Sequence, residues 1–337
     1  MQSPARPAPE AFRRGLSAVV ANPGLILAPL AFAAVAAGAV AIPVLLLVAG
    51  MAGFPRGFPR MSDFVRGGWA MLPRLASLFD GLMAAPFVLI GILLCLLVLL
   101  LLLTLLAAYL RAGIVGSLVA IDAHAAEDAR LPAFRHPGLG AAFRTSARRL
   151  FGRFFALVNL YALAVSFLVL VLLLPIGLAL AAARERGGLV MAAFVLFFLL
   201  LPLVLGGSVA LRVLYLVSCR LAASDDVDAL EAVARAVALV RGSLSRVVVL
   251  YLLSLAAGVV AGSAFLVPRF FVSFLARRSL VLFISGTGLL VAAQMVVSLA
   301  YDLVVTGSFV SLWPVAGSGS VPPAVSAPVG GVPPVLV

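Results

Sequence analysis

Leu82–Leu110, LMAAPFVLIGILLCLLVLLLLLTLLAAYL, carries no charged side chain from end to end. About 20 apolar residues in a helix cross the hydrocarbon of a bilayer. A segment in lipid must satisfy its own backbone hydrogen bonds, and a helix does so without a neighbour. The stretch therefore reads as a transmembrane helix. Five further runs have the same character: Gly24–Val48, Phe155–Ala182, Leu189–Leu211, Val247–Val267 and Leu280–Leu303.

Composition agrees. The chain of 337 residues is 64% hydrophobic and 11% charged, with a mean hydropathy of +1.25. A soluble domain has about 45–50% apolar and about 25% charged residues. The apolar runs leave no interval long enough for such a domain. The first run is too long for the core of a secretory signal and no convincing cleavage site follows it, so it reads as an uncleaved first span. The expected fold class is all-α, a polytopic transmembrane bundle of six spans occupying residues 1–306. A Pro/Gly-rich tail, residues 307–337, has no charge and is expected to be disordered.

The net charge of +12 comes entirely from arginine, for the chain contains no lysine. These arginines lie between the spans rather than on a soluble face. Phospholipid is the expected counter-charge, and nucleic acid is not expected as a partner. Three precede the first span (Arg6, Arg13, Arg14). Seven fill the second connection (Arg111, Arg130, Arg135, Arg144, Arg148, Arg149, Arg153), and five the fourth (Arg212, Arg220, Arg235, Arg241, Arg246). That side holds 15 arginines and the other 9, including Arg56, Arg60, Arg66 and Arg74 of the first connection. The positive-inside rule places both termini in the cytoplasm, with the chain in the cell (inner or plasma) membrane.

A weak internal repeat fits this scheme. Three amphipathic stretches each lead through a break into a span: AFRRGLSAVVANPG from Ala11, AAFRTSARRLFGRFF from Ala141 and ALEAVARAVALVRGSLSRV from Ala229. Helical spacing gathers Phe12, Leu16, Val19 and Val20 on one face of the first, with Arg13 and Arg14 off it. Phe143, Leu150, Phe151 and Phe154 form the stripe of the second; Leu230, Val233, Val237, Val240 and Leu244 form that of the third. Asp225, Asp226, Asp228 and Glu231 suit the N-terminus of the third, where Glu231 and Arg235 stand in the favourable i, i+4 order. The expected architecture is three units, each an interfacial helix plus two spans. Arg144, Arg148, Arg149 and Arg153 are the candidate lipid-contacting basic helix. The first external connection, Met51–Gly81, with its tandem GFPRGFPR and Trp69, Leu72 and Phe79, is expected to rest on the outer interface.

No span has a charge near its middle, where ion and proton pathways place them. The interior polar residues are mild, and hydroxyls and amides of this kind serve as glue between helices. Arg111, Arg212 and Asp302 lie at the cytoplasmic ends of even-numbered spans, beside Tyr109, Tyr215 and Tyr301. An unpaired carboxylate at that depth is costly, so Asp302 is expected to pair with Arg111 or Arg212 as a bundle-locking ion pair. His124 and His136 share the second cytoplasmic connection with Asp122, Glu127 and Asp128. Their spacing fits no zinc pattern, and no metal is expected. Cys95 and Cys219 lie in different apolar runs and suggest no disulfide. The motifs GxSxG, HExxH and the phosphate-binding loop are absent, so no catalytic site or cofactor is expected.

The opening G…NPGLILAPL (Gly15, Asn22, Pro23, Pro29), ARRLFGRFFALVNL from Ala147 and LAYDL from Leu299 resemble a group of bacterial and archaeal six-span proteins. The membrane domain that accompanies glycerophosphodiester phosphodiesterases belongs to this group. The resemblance covers most of the chain and implies its topology. It does not imply the enzyme's activity, because the HRG-type catalytic signature is missing. Two roles are compatible with these features. One is a non-enzymatic scaffold or accessory subunit, its basic helices contacting anionic lipid or a membrane or cytoplasmic protein partner. The alternative is a transporter or permease-like component for a lipid or apolar solute, with a hydrated cavity lined by Asn159, Tyr161 and Gln294.

Overall fold

A computed structural model describes residues 5–51, 86–125, 130–183, 188–275 and 280–313. Among these residues there is no strand. The helices are α1 (Ala8–Ala21), α2 (Gly24–Met51), α3 (Pro86–Ala125), α4 (Leu139–Ala183), α5 (Gly188–Ser224), α6 (Ala229–Gly242), α7 (Leu244–Ser263), α8 (Leu266–Leu275) and α9 (Leu280–Leu312). A single 3-10 turn, Leu131–Phe134, precedes α4. The connection 52–81 with its GFPRGFPR repeat, Glu127, Asp128 and the tail from residue 314 lie outside the described residues.

Among the described residues, five helical segments are long and apolar enough to cross a membrane: Leu94–Ala125, Leu139–Gly177, Phe194–Ser224, Leu244–Phe274 and Ser285–Leu312. A sixth is obtained if α1 and the start of α2, bent by 78° at their junction, form one span.

Packing is uneven along these helices, and that decides where a site can form. Successive spans alternate in direction, so the C-terminal ends of α3, α5 and α9 meet the N-terminal ends of α4 and α7. There Leu118, Ile121, Leu150, Phe154, Leu221, Leu250, Phe309 and Leu312 are buried in one cluster, with α1 and α6 folded onto it. Toward the opposite ends Leu100, Leu163, Phe167, Leu199, Val260 and Leu289 stand exposed. Lipid tails are as apolar as leucine, so such surface carries no penalty in a bilayer.

Small residues set the close crossings of the packed end. Gly113 and Gly116 of α3 lie under Phe143 and Ser146 of α4, where a Cβ at Gly113 would come within 2.5 Å of the phenyl ring. The turn between α1 and α2 is fixed by Asn22. Its amide donates to the carbonyls of Ala18 (2.9 Å) and Phe134 (2.7 Å), and its oxygen accepts the His136 backbone N–H. Proline at position 23 follows, which disfavours helical continuation through Asn22.

Several expectations are corrected. The second amphipathic stretch has no break before its span: α4 runs continuously from Leu139 to Ala183, because nothing in FGRFFALV interrupts the backbone ladder. Residues 307–312, assigned to the tail, are the buried last turns of α9; serine and glycine let α1 approach there. The fifth span is interrupted at Ala264–Phe265, after which α8 begins. On α1, Leu16 and Val20 are exposed and the packed face is Ala8, Ala11, Gly15, Ala18 and Val19. On α6 it is Ala229, Ala232 and Ala236, with Leu230 exposed. Alanine and glycine win those faces because they permit nearer helix approach than leucine does.

Candidate functional site

At the packed end, Arg111 of α3, Arg212 of α5 and Asp302 of α9 converge. Arg111 Nη1 donates to Asp302 Oδ2 at 2.8 Å and Arg212 Nη2 to Asp302 Oδ1 at 2.9 Å. Arg111 Nη2 also donates to Thr306 Oγ1 at 3.1 Å, while its Nε is buried without a partner. Aromatic rings frame the trio. Arg111 lies over the Tyr215 ring at 5.7 Å, and Tyr215 stacks on Tyr161 at 4.7 Å. Tyr301 donates its hydroxyl to the Ser254 carbonyl of α7 at 2.9 Å. Asp302 is therefore shared by both arginines rather than held by one.

The chain has a register here that a reading of charges alone passes over. Ser117, Ser218 and Ser308 each lie six residues beyond Arg111, Arg212 and Asp302, and all three serines are fully buried. Ser218 and Ser308 bond back to the Leu214 and Val304 carbonyls of their own helices.

A second ionic centre lies nearer the termini. Arg14 Nε donates to Asp122 Oδ1 at 2.9 Å, with both side chains almost fully buried. Arg6 Nη1 reaches Asp122 Oδ2 at 3.1 Å, and the Ser311 hydroxyl donates to Oδ1 at 3.0 Å. The Phe134 ring lies 5.1 Å from the Arg14 guanidinium carbon. Arg6 also binds the end of α9: its backbone N–H donates to Leu312 O and its guanidinium to Ser311 O. Arg220 donates to the Val310 and Trp313 carbonyls of the same helix end. Cations here meet the partial negative charge of a helix C-terminus. Asp122 is thus the shared counter-ion of Arg14 and Arg6. No group of three or more metal-binding side chains occurs among the described residues.

His124 and His136 meet edge to face, with centroids 5.5 Å apart. Burial, and then the His124 ring, hold the His136 pKa below its usual value.

The basic segment of α4 divides. Arg144, Arg148 and Arg149 are exposed, on the side away from buried Leu150 and Phe154. Arg153 instead bonds Asp226, and this contact holds the Asp226 carboxyl below the usual carboxylate range. The residues proposed to line a transport cavity are scattered in their bonding. Asn159 donates to Phe155 O of its own helix, Gln294 accepts from Arg269 of α8 at 2.7 Å, and Tyr161 belongs to the stack beside Arg111.

Among the described residues these features define an all-helical fold, with five or six helices long and apolar enough to cross a membrane and a polar, ion-paired layer at one end of them. Comparisons with family models, with curated proteins and with solved structures give no match for the chain.

Proposed function

We propose that the protein is a non-enzymatic membrane scaffold or accessory subunit whose arginine-bearing layer meets anionic headgroups, or an acidic partner, on the cytoplasmic face. The reading takes α1–α2 as the sixth span, groups the chain into three two-span units and sets both termini in the cytoplasm. The likeness of topology to the glycerophosphodiesterase-associated membrane domain belongs to the same proposal and rests on the short motifs that carry it.

One observation carries the reading. Arg144, Arg148 and Arg149 are exposed on a helix that continues unbroken into an apolar span. At 1.5 Å per residue, Arg149 stands about 10 Å before the apolar run begins at Phe155. On this reading the unbroken helix holds the three arginines at the level of the phosphate headgroups. Each basic side chain near an anionic surface contributes about 1 kcal/mol. The bonding of Asn159, Tyr161 and Gln294 to separate partners favours this role over solute passage.

The test is native mass spectrometry of the full chain released from micelles containing equal phosphatidylglycerol and phosphatidylcholine. The wild type should retain several phosphatidylglycerol molecules per chain in preference to phosphatidylcholine, and R144A/R148A/R149A should retain fewer of them. An unchanged number in the triple variant removes the reading. Affinity capture of the tagged chain from its native membrane separates the two occupants: a stoichiometric protein partner makes it an accessory subunit.

A further inference from the structure

Arg111, Arg212 and Asp302 bring two positive charges against one negative. A surplus charge among apolar helices is costly unless something compensates it. The distribution of bonds locates the surplus. Both Nη atoms of Arg111 are engaged, by Asp302 and Thr306, and its side chain is 17% exposed. Arg212 gives Nη2 to Asp302 and remains 43% exposed, the more open of the two.

The surroundings of Arg212 are amphiphilic. Tyr301, next to Asp302 in the chain, places its hydroxyl on the Ser254 carbonyl of α7. Helix α7 packs on α1, α6, α8 and α9, and α5 packs on α3, α4, α6 and α9; α5 and α7 form no packed seam with each other, and α6 and α9 each touch both. Farther along both helices the side chains are apolar and uncovered, as at Leu203 and Leu205 of α5 and Leu252 and Leu255 of α7. An exposed guanidinium, the Tyr301 hydroxyl against α7 and bare apolar helix faces beyond them match the two halves of one molecule.

We propose that Arg212, backed by Arg111 and Asp302, binds the phosphate of a singly anionic amphiphile whose acyl chains lie along the exposed faces of α5 and α7. A planar guanidinium fork suits a phosphate, and one negative charge makes the four-group site neutral. Asp302 then has a second role: it offsets one of the two positive charges and so limits the site to a single anion. The site is distinct from the exposed arginines of α4 and needs only that Arg212 lie at lipid depth.

The experiment uses the full chain, stripped of lipid in neutral maltoside detergent. It is titrated separately with dioctanoyl phosphatidylglycerol, dioctanoyl phosphatidylcholine and inorganic phosphate, with the thermal unfolding midpoint as readout. Phosphatidylglycerol should raise the midpoint saturably, whereas phosphatidylcholine and inorganic phosphate should not. Arg212→Gln, which leaves the Arg111–Asp302 pair intact, should weaken the apparent affinity by about tenfold or more, as expected for one lost charge-assisted contact. R144A/R148A/R149A should leave this affinity unchanged, so failure here is separable from failure of the headgroup-contact reading. Asp302→Asn, which raises the charge of the site, should bind phosphatidylglycerol more tightly and answers the question if Arg212→Gln does not fold. An equal response to inorganic phosphate would overturn the amphiphile assignment. Unchanged affinity in Arg212→Gln, or weaker binding in Asp302→Asn, would overturn the site.

Discussion

Gly15 of α1 lies directly against Gly307 of α9: a Cβ at Gly307 would stand 3.2 Å from the Gly15 Cα, and one at Gly15 would collide with the Ser308 backbone nitrogen. Backbone meets backbone there, so neither side can yield by rotating a side chain. This contact brings the N-terminal arm onto the last turns of the chain, where Arg6 and Arg14 reach Asp122. The ionic layer depends on it.

Substituting either glycine should therefore loosen the layer. Gly15→Ala is expected to destabilise by about 1–3 kcal/mol, the usual cost of forcing volume into a packed contact. Gly152→Ala, where no atom stands within 4 Å of the added Cβ, serves as control and should be neutral to slightly stabilising, since alanine favours a helix interior. Thermal unfolding in detergent followed by far-UV circular dichroism distinguishes them. Equal behaviour of the two variants would mean that the α1–α9 crossing is not tight.

Asp122→Asn leaves two arginines in the packed end without their shared counter-charge. Removing one partner of a buried pair costs about 3–5 kcal/mol, whereas replacing both with apolar groups of similar volume is often neutral. Asp122→Asn should accordingly unfold at much lower denaturant than D122L/R6M/R14M does. Chemical denaturation of the purified chain measures both, and a milder single variant would count against the pairing.

Acid should weaken the same end through His136. Its pKa is lowered by burial and by the neighbouring His124. The folded state therefore binds a proton less readily than the unfolded chain does. The stabilisation is fully present above the ordinary histidine value of about 6.5 and is lost as pH falls through the lower folded value. His136→Gln should flatten the fall in unfolding midpoint between neutral and mildly acidic pH. An unaltered slope would assign the acid response to other groups.

How much of this is legible in the chain follows from the kind of signal each part leaves. Apolar runs such as Leu82–Leu110 announce helices because composition alone specifies them. Asp302 announces its partners because a carboxylate among spans has few ways to be tolerated, and Arg111 and Arg212 lie at matching positions. The break at Asn22–Pro23 is written in the proline. Arg14 left no such signal: placed off the apolar stripe of α1 by helical spacing, it is almost completely buried, because Asp122 and Phe134 await it from distant parts of the chain. Hydrophobic periodicity rewards large side chains, so it selected Leu16 and Val20 and passed over Gly15, Ala11 and Ala18. In a helix pair driven by close approach, those small residues make the contact. The continuity of α4 was hidden for another reason. A polar amphipathic turn followed by an apolar run looks like two elements, although nothing in the backbone separates them.

The placement of the arginine-bearing layer in the cytoplasm is the claim on which the proposed role rests, and cysteine accessibility tests it most directly. In a Cys95→Ala, Cys219→Ala background, Arg148→Cys reports the packed end of the helices and Ser273→Cys the opposite end, at the close of the Leu244–Phe274 segment. A membrane-impermeant maleimide should label Ser273→Cys in intact cells and Arg148→Cys only after permeabilisation. Labelling of Arg148→Cys in intact cells, with Ser273→Cys protected until permeabilisation, would put the basic layer outside and contradict the account.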